Sequence, residues 1–259
     1  MLVDADRSRL ARFITRYTLQ SADMILVDSN AVRAKIRALV DYPEDRFVSF
    51  PWGIDLDTFR RQPSASPLRR QLGWHDNPVV LSTRSWEPIY DVTTLVEAFA
   101  QALRIRPDLR LVLAADGSLR SEVHRLLRER GLSEVVHLPG RVPNDLLVQY
   151  YSLADVYVST SRSDGASISL LEAMACGLAI VVADIPSNRE WITPGVNGWL
   201  FEPADSAGLA ATLLRALGAW SRRDELAAKN RELVERRANW DRNFPLLLGA
   251  YGRMAAPRR

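Results

Sequence analysis

The sequence has 259 residues, of which 47% are hydrophobic and 25% charged, with a formal net charge of +3. That is enough chain for one large or two small globular domains, and the composition excludes a disordered or fibrous protein. The basic excess is mild and comes without a basic run or an aromatic platform, so nucleic acid is not an expected partner.

The lone cysteine, Cys176, excludes a disulfide framework and a cysteine metal site. His75, His124 and His137 stand at no metal-ligand spacing, so no metal is expected either. No apolar run approaches membrane-spanning length and no signal peptide opens the chain, which makes the cytoplasm the default location.

In chain order, Ser8 to Leu19 predicts an Arg-rich amphipathic helix with Leu10, Phe13, Ile14 and Tyr17 on one face. Such a helix ordinarily packs its apolar face; the alternative is peripheral contact with a membrane surface. Ala22 to Asp28 reads as a strand, Ser29 and Asn30 as the cap of a helix through Leu39, and Arg46 to Pro51 as a second strand. Residues 61–77 begin with a polar, Pro-containing stretch and read as a linker. Pro78 to Thr83 is a strand with Arg84 at its C-terminal end, and Asp91 or Thr93 starts a helix through Ala102.

Leu109 to Ala115 is a strand, followed by a turn with Gly117 and with Ser118 as cap of the helix Ser121 to Arg130. Val135 to Leu138 is a strand, Gly140-Arg141-Val142 a loop, and Asn144 to Ser152 a helix. Asp155 to Ser159 and Leu178 to Ala183 are short apolar runs, read as buried strands. Between them lie a polar loop and a helix over Ser167 to Ala175, capped by Ser167 and ended by a left-handed Gly177. A short helix near Glu190, a strand over Gly198 to Phe201, helices from Asp205 to Leu217 and Arg223 to Glu235, and a last helix over Trp240 to Met254 complete the chain. Strands alternating with helices predict an α/β fold, a Rossmann-like parallel sheet with helices on both faces.

The strand–helix–strand unit at residues 155–183 carries the clearest chemistry. Ligands of open α/β sheets bind at the carboxyl ends of the strands, which is where the loop Ser161 to Gly165 falls. The amides near Gly165, Ala166, Ser167 and Ile168 form an anion site at a helix N-terminus. Asp164 precedes the helix and Glu172 lies inside it, with seven residues between the two acids. Phosphate on the amides, with a carboxylate on each side for hydroxyls, suits a sugar nucleotide. Spacing alone favours a plainer reading, with Asp164 as a cap-side charge and Glu172 as a solvated residue.

The run DGASISLLEAMACG (164–177) resembles the signature of the retaining glycosyltransferases of family 4, which have the GT-B fold. That signature is two Glu separated by seven residues, then Ala-Met-Ala-x-Gly. Asp164 stands for the first Glu, one methylene shorter. The resemblance extends over nearly the whole chain. It implies that Asp164 contacts the donor sugar, that Glu172 holds the ribose hydroxyls, and that Arg84 clamps the diphosphate.

The family's clamping Lys has no counterpart, since Pro88-Ile89-Tyr90-Asp91 stands in its place. Tyr90 can offer one neutral hydrogen bond there, with Arg162 as a further cation. The backbone of Gly140, Arg141 and Val142 corresponds to the part that pairs with the nucleotide base.

The resemblance implies no metal and no cofactor. The substrate is a UDP-, GDP- or ADP-sugar, and the acceptor a lipid-linked or polysaccharide molecule. It also assigns 1–60 to a remnant of an N-terminal acceptor-side domain, 61–77 to a linker, 78–238 to the nucleotide-sugar-binding domain and 239–259 to a helix that crosses back. On that helix Trp240, Phe244, Leu247 and Tyr251 would be partly uncovered.

Most of the N-terminal domain is absent, so a fragmentary gene, a separately encoded partner and a compact stand-alone domain all remain open. The expected function is sugar transfer with retention of configuration. The alternative from another class is a non-catalytic nucleotide-sugar-binding or assembly subunit. An epimerase on the same fold lacks a motif of its own.

Overall fold

A computed structural model describes residues 8–62 and 66–255. The outer ends of the first and last expected segments, 1–7 and 256–259, and residues 63–65 of the expected linker lie outside the described residues. In chain order the elements are α1 (Arg9–Gln20), β1 (Ile25–Val27), α2 (Asn30–Leu39), β2 (Phe47–Ser49), α3 (Pro67–Gln71), β3 (Val79–Ser82), α4 (Val92–Ile105), β4 (Arg110–Leu113), α5 (Arg120–Glu129), β5 (Val136–His137), α6 (Asn144–Leu153), β6 (Val156–Ser159), α7 (Ile168–Ala175), β7 (Ala179–Ala183), α8 (Pro186–Arg189), β8 (Trp199–Phe201), α9 (Ser206–Gly218), α10 (Arg223–Arg237) and α11 (Trp240–Ala255).

Six strands form one parallel sheet in the order β5-β4-β3-β6-β7-β8. The chain builds outward from β3 to β5, then returns to β6 beside β3 and builds the other way. This is the doubly wound order of a Rossmann-like sheet, and its switch point lies between β3 and β6. The central strands β3, β6 and β7 are buried on both faces, so they read as apolar runs rather than alternations. Val80 packs with Leu95 and Phe99 of α4, Val123 of α5 and Leu213 of α9. Its neighbours Val79 and Leu81 face the opposite layer, with Tyr151 of α6, Leu170 and Met174 of α7, and Val234 of α10. The α/β fold expected from the sequence is therefore the fold observed.

A second, two-stranded parallel sheet pairs β1 with β2. Ile25, Val27 and Phe47 form a small core with Ile36 and Val40 of α2 and its C-terminal flank. Ser29 caps α2, its Oγ accepting the Val32 amide. This unit is fastened to the larger sheet at several points. The Glu190 carboxylate accepts the Asn30 and Ala31 amides at the start of α2, at 3.1 and 2.9 Å. The Asn243 side chain of α11 donates to the carbonyls of Pro51 and Trp52 at 2.8 and 3.2 Å.

Three expectations need correction. The apolar face of α1 is not packed: Leu10, Phe13 and Tyr17 are each about two-thirds exposed, at 67%, 67% and 65%, and the buried residue of the helix is Thr15 on its other side. The stretch 61–77 is not all linker. It contains α3, with Pro67 at its first turn, where a missing N–H costs nothing. Ser118 does not cap α5; its amide and hydroxyl donate to the Glu87 carboxylate instead. On α11, Trp240 and Tyr251 are exposed as expected, and so are Leu246, Leu248 and Met254.

Candidate functional site

The loops after β3 and β6 meet at the switch point of the sheet. Arg84 follows β3 and reaches across to the start of α7. Its Nη2 donates to Asp164 Oδ2 at 2.7 Å, and its Nη1 to Ser167 Oγ and Ser169 Oγ at 3.0 and 3.3 Å. The guanidinium carbon lies 4.0 Å from the centre of the Tyr90 ring, a cation–π stack. Arg84 Nε is buried with no partner among the described residues. A buried guanidinium N–H normally finds an acceptor, so this donor fits a ligand oxygen at the site.

Asp164 Oδ1 accepts the Gly165 amide at 3.0 Å. Burial raises the Asp164 pKa above the ordinary carboxylate value; Arg84 and the Gly165 amide oppose that rise, and the charge of Asp28 adds to it. Ser167 sits at the N-cap of α7 without making a capping bond. This corrects the expected cap: its hydroxyl accepts from Arg84 instead. Ser167 and Ile168 keep amides that the helix itself does not satisfy. The amide of Ala166 donates to Asp28 Oδ2 at 3.2 Å.

Glu172 lies one and a half turns further along α7 and is buried, at 6% exposure, which excludes the solvated alternative. The Tyr151 hydroxyl donates to Glu172 Oε2 at 2.7 Å. The same hydroxyl is 3.2 Å from Thr83 Oγ1 at the end of β3. Burial pushes the Glu172 pKa up to about 7, and the Tyr151 hydrogen bond offsets only part of that. Ser169 joins the two halves of the site: Tyr157 donates to its hydroxyl at 2.7 Å, and that hydroxyl accepts from Arg84.

Two of the expected residues are engaged within the protein. The Tyr90 ring lies under Arg84, where it orients the guanidinium. Arg162 is engaged with Asp91, Nε to Oδ2 at 2.8 Å, and does not join the Arg84 cluster. Asp91 is buried in a left-handed conformation at the start of α4 and also accepts from Thr94. Arg162 thereby ties the loop after β6 to the loop after β3.

Gly140, Arg141 and Val142 follow β5 at the same edge of the sheet. The Arg141 charge is near enough to act on Glu87 and Asp116, whose carboxyl pKa values are lowered first by hydrogen bonds from Ser118 and from the Gly117 amide.

Ser169, Tyr151, Tyr157, Asp28 and Trp52 join the site without having been singled out in the sequence. Ser169 alone had a local signal, a second hydroxyl two residues after Ser167. The others arrive from elements distant in sequence. Among the described residues no group of three or more His, Cys, Asp or Glu could hold a metal ion. No helix among them is long and apolar enough to cross a membrane.

Residues 65–233 match the family described as glycosyl transferases group 1. The chain belongs to the group 1 glycosyl transferases. It is 29% identical over 252 residues to O-antigen chain mannosyltransferase B of Escherichia coli, a match covering 95% of this chain and 65% of that protein. It is 32% identical over 228 residues to D-inositol 3-phosphate glycosyltransferase of Geodermatophilus obscurus, covering 83% of this chain and 50% of that protein.

Among solved structures, sucrose-phosphate synthase from Thermosynechococcus elongatus superposes with a TM-score of 0.85 at 27% identity, covering 97% of this chain and 63% of that one. Anabaena HepE, solved with UDP and glucose, superposes with a TM-score of 0.85 at 22% identity, covering 95% of this chain and 67% of that one. The fold is thus that of GT-B glycosyltransferase structures. This group 1 chain spans half to about two thirds of the length of these two curated relatives.

Proposed function

We propose that this chain carries the donor site of a retaining family 4 glycosyltransferase, which moves a sugar from a nucleotide-diphosphate sugar to an acceptor. One observation carries the proposal: Arg84 at the switch point, stacked on Tyr90 and aimed at the start of α7, with a buried N–H left for a ligand oxygen.

In the proposed mechanism the diphosphate takes Arg84 and the amides from Gly165 to Ile168. As the sugar leaves, charge grows on the diphosphate, and these fixed donors stabilise it, which is electrostatic catalysis. Arg84 drawn to phosphate frees Asp164 to accept a hydroxyl of the donor sugar. Glu172 takes the ribose hydroxyls, and the backbone of Gly140 to Val142 faces the base. The acceptor attacks the face from which the diphosphate departs, hence retention. No metal or cofactor enters the scheme.

The division into 1–60, 61–77, 78–238 and 239–259 belongs to the same proposal, as does a cytoplasmic location with at most peripheral membrane contact. One relative is named a mannosyltransferase and one neighbouring structure was solved with UDP and glucose, which supports a hexosyl donor; the names do not fix the base for this chain. The test is calorimetric titration with UDP-, GDP- and ADP-sugars. Loss of one charged hydrogen bond costs about 1.5–3 kcal/mol, so Arg84→Ala should weaken binding at least tenfold. Equal binding by the variant removes Arg84 from the site.

A second reading is a nucleotide-sugar-binding subunit whose acceptor side is supplied by another chain. The exposed apolar face of α1 and the two-stranded sheet favour it, because two strands alone are marginal. Sugar transfer by the purified chain alone would exclude it.

A further inference from the structure

We propose that Asp28 is a further residue of the donor site: its carboxylate occupies the anion-binding amide of Ala166 in the free protein and gives it up to the donor diphosphate, so that Asp28 sets donor affinity. The inference rests on the donor-site proposal above.

Asp28 directly follows β1 in the N-terminal unit, 138 residues away from Ala166 in sequence, yet its Oδ2 accepts the Ala166 amide at 3.2 Å. The same oxygen accepts the Trp52 indole N–H, also at 3.2 Å. The approach is close. A Cβ built on Gly165 would lie 2.3 Å from Asp28 Oδ2 and 2.7 Å from Oδ1, so a side chain at 165 would expel the carboxylate. Independent contacts hold the N-terminal unit in this place. Glu190 accepts the amides at the start of α2, and Lys35 Nζ donates to Ser163 Oγ at 3.0 Å, one residue before Asp164. Asp28 therefore stands at the amides by the packing of two units and not by the reach of one flexible side chain.

Charge decides what this means for a ligand. The site holds one guanidinium, already paired with Asp164, and the Lys35 ammonium stands at its rim on Ser163; Asp28 brings a third carboxylate beside Asp164 and Glu172. An anionic phosphate cannot share the Ala166 amide with it, since both are acceptors and like charges at hydrogen-bond range repel. The donor must move Asp28 away, and with it the bond that the Trp52 indole makes to the same oxygen. A protein whose competent state is only a fraction of the whole binds more weakly by that fraction.

The test is calorimetric titration of the whole chain and of Asp28→Asn with UDP, GDP and ADP. Asn keeps the shape and loses the charge. The expected result is binding of one nucleotide at least tenfold tighter by Asp28→Asn, or binding detectable in that variant alone. A difference in tryptophan emission on titration, lost in Trp52→Phe, would also support displacement of Asp28.

Wild-type binding that is equalled or weakened in Asp28→Asn overturns the inference and leaves the donor site standing. Binding of no nucleotide by either protein overturns both. If Asp28→Asn does not melt cooperatively, Asp28→Ser is titrated by the same criteria.

Discussion

Arg84 Nη2 and Asp164 Oδ2 stand 2.7 Å apart, with 12% and 17% of their side chains exposed. The pair joins the ends of two neighbouring strands, β3 and β6, at the one place in the sheet where the winding reverses. It holds the carboxylate that burial would otherwise favour protonating, and it keeps the guanidinium extended over Tyr90.

Replacing Arg84 with Met leaves Asp164 without its ion pair. Removing one partner of a buried pair costs about 3–5 kcal/mol, and the partial exposure of this one puts it at the lower end. A fall in melting temperature on the order of 5–10 °C is expected at neutral pH. Adding Asp164→Asn should recover most of it, because the orphaned charge is then gone. No recovery in the double variant would show that Arg84 stabilises through its packing on Tyr90.

Glu172 gives a pH signature of opposite sign to an ordinary salt-bridged acid. Its folded pKa is raised from 4.5 to about 7. Between those values the folded protein holds a proton that the unfolded chain has lost, so stability from this group falls as pH rises and levels off above 7. The full swing is about 3 kcal/mol. Glu172→Gln should flatten the dependence of the melting temperature over this range and raise it at pH 8. A wild-type curve whose slope is unchanged by the substitution would contradict the buried position of the carboxylate.

Gly117 is expected to tolerate no side chain. Its Cβ would lie 2.5 Å from the Trp86 carbonyl oxygen, in backbone that cannot swing aside. Overpacking of this kind costs about 1–3 kcal/mol, and the Trp86 loop that the new side chain would push also carries Arg84, so Gly117→Ala should lower both melting temperature and nucleotide affinity. Gly252→Ala in α11, where nothing lies within 4 Å, is the control. Its melt should match the wild type or rise slightly.

The four apolar residues on the outer face of α1 should be replaceable without loss of fold. Leu10, Phe13, Ile14 and Tyr17 are exposed, and surface substitutions usually stay within about 0.5 kcal/mol each. Changing all four to Gln should leave the melt within a few degrees while reducing concentration-dependent association in light scattering, as expected when an exposed apolar patch is removed. A large loss of stability would mean that the helix packs through this face.

The sheet was legible because β3, β6 and β7 are buried on both sides and so appear as uninterrupted apolar runs bounded by polar loops. Arg84 was placed at the ligand edge of the sheet as the first charge after such a run, and its role came from the family resemblance. The acid pair Asp164 and Glu172 was visible by spacing, but spacing carries no information on burial, and the raised pKa of Glu172 comes from burial. Residues that meet across long sequence distances left no trace. Asp28 against Gly165 and Tyr151 against Glu172 depend on how whole elements pack.

Local chemistry misled in three places. Ser167 and Ser118 have the residue type of a cap but spend their hydroxyls on Arg84 and Glu87. Pro67 has the look of a breaker but opens α3. The amphipathic pattern of α1 correctly gave a helix, and burial within the described residues then fell on its other side.

The most direct measurement is the thermal melt of the purified chain against UDP-, GDP- and ADP-sugars, run in parallel on Glu172→Ala. At a hundredfold excess over Kd a ligand stabilises by about 2.7 kcal/mol, on the order of 5–10 °C for a chain of this size. A donor site at the β3–β6 switch point predicts a rise of that order with one nucleotide and a much smaller rise in Glu172→Ala. A cooperative melt that no nucleotide sugar moves, or a shift of equal size in the variant, would contradict it.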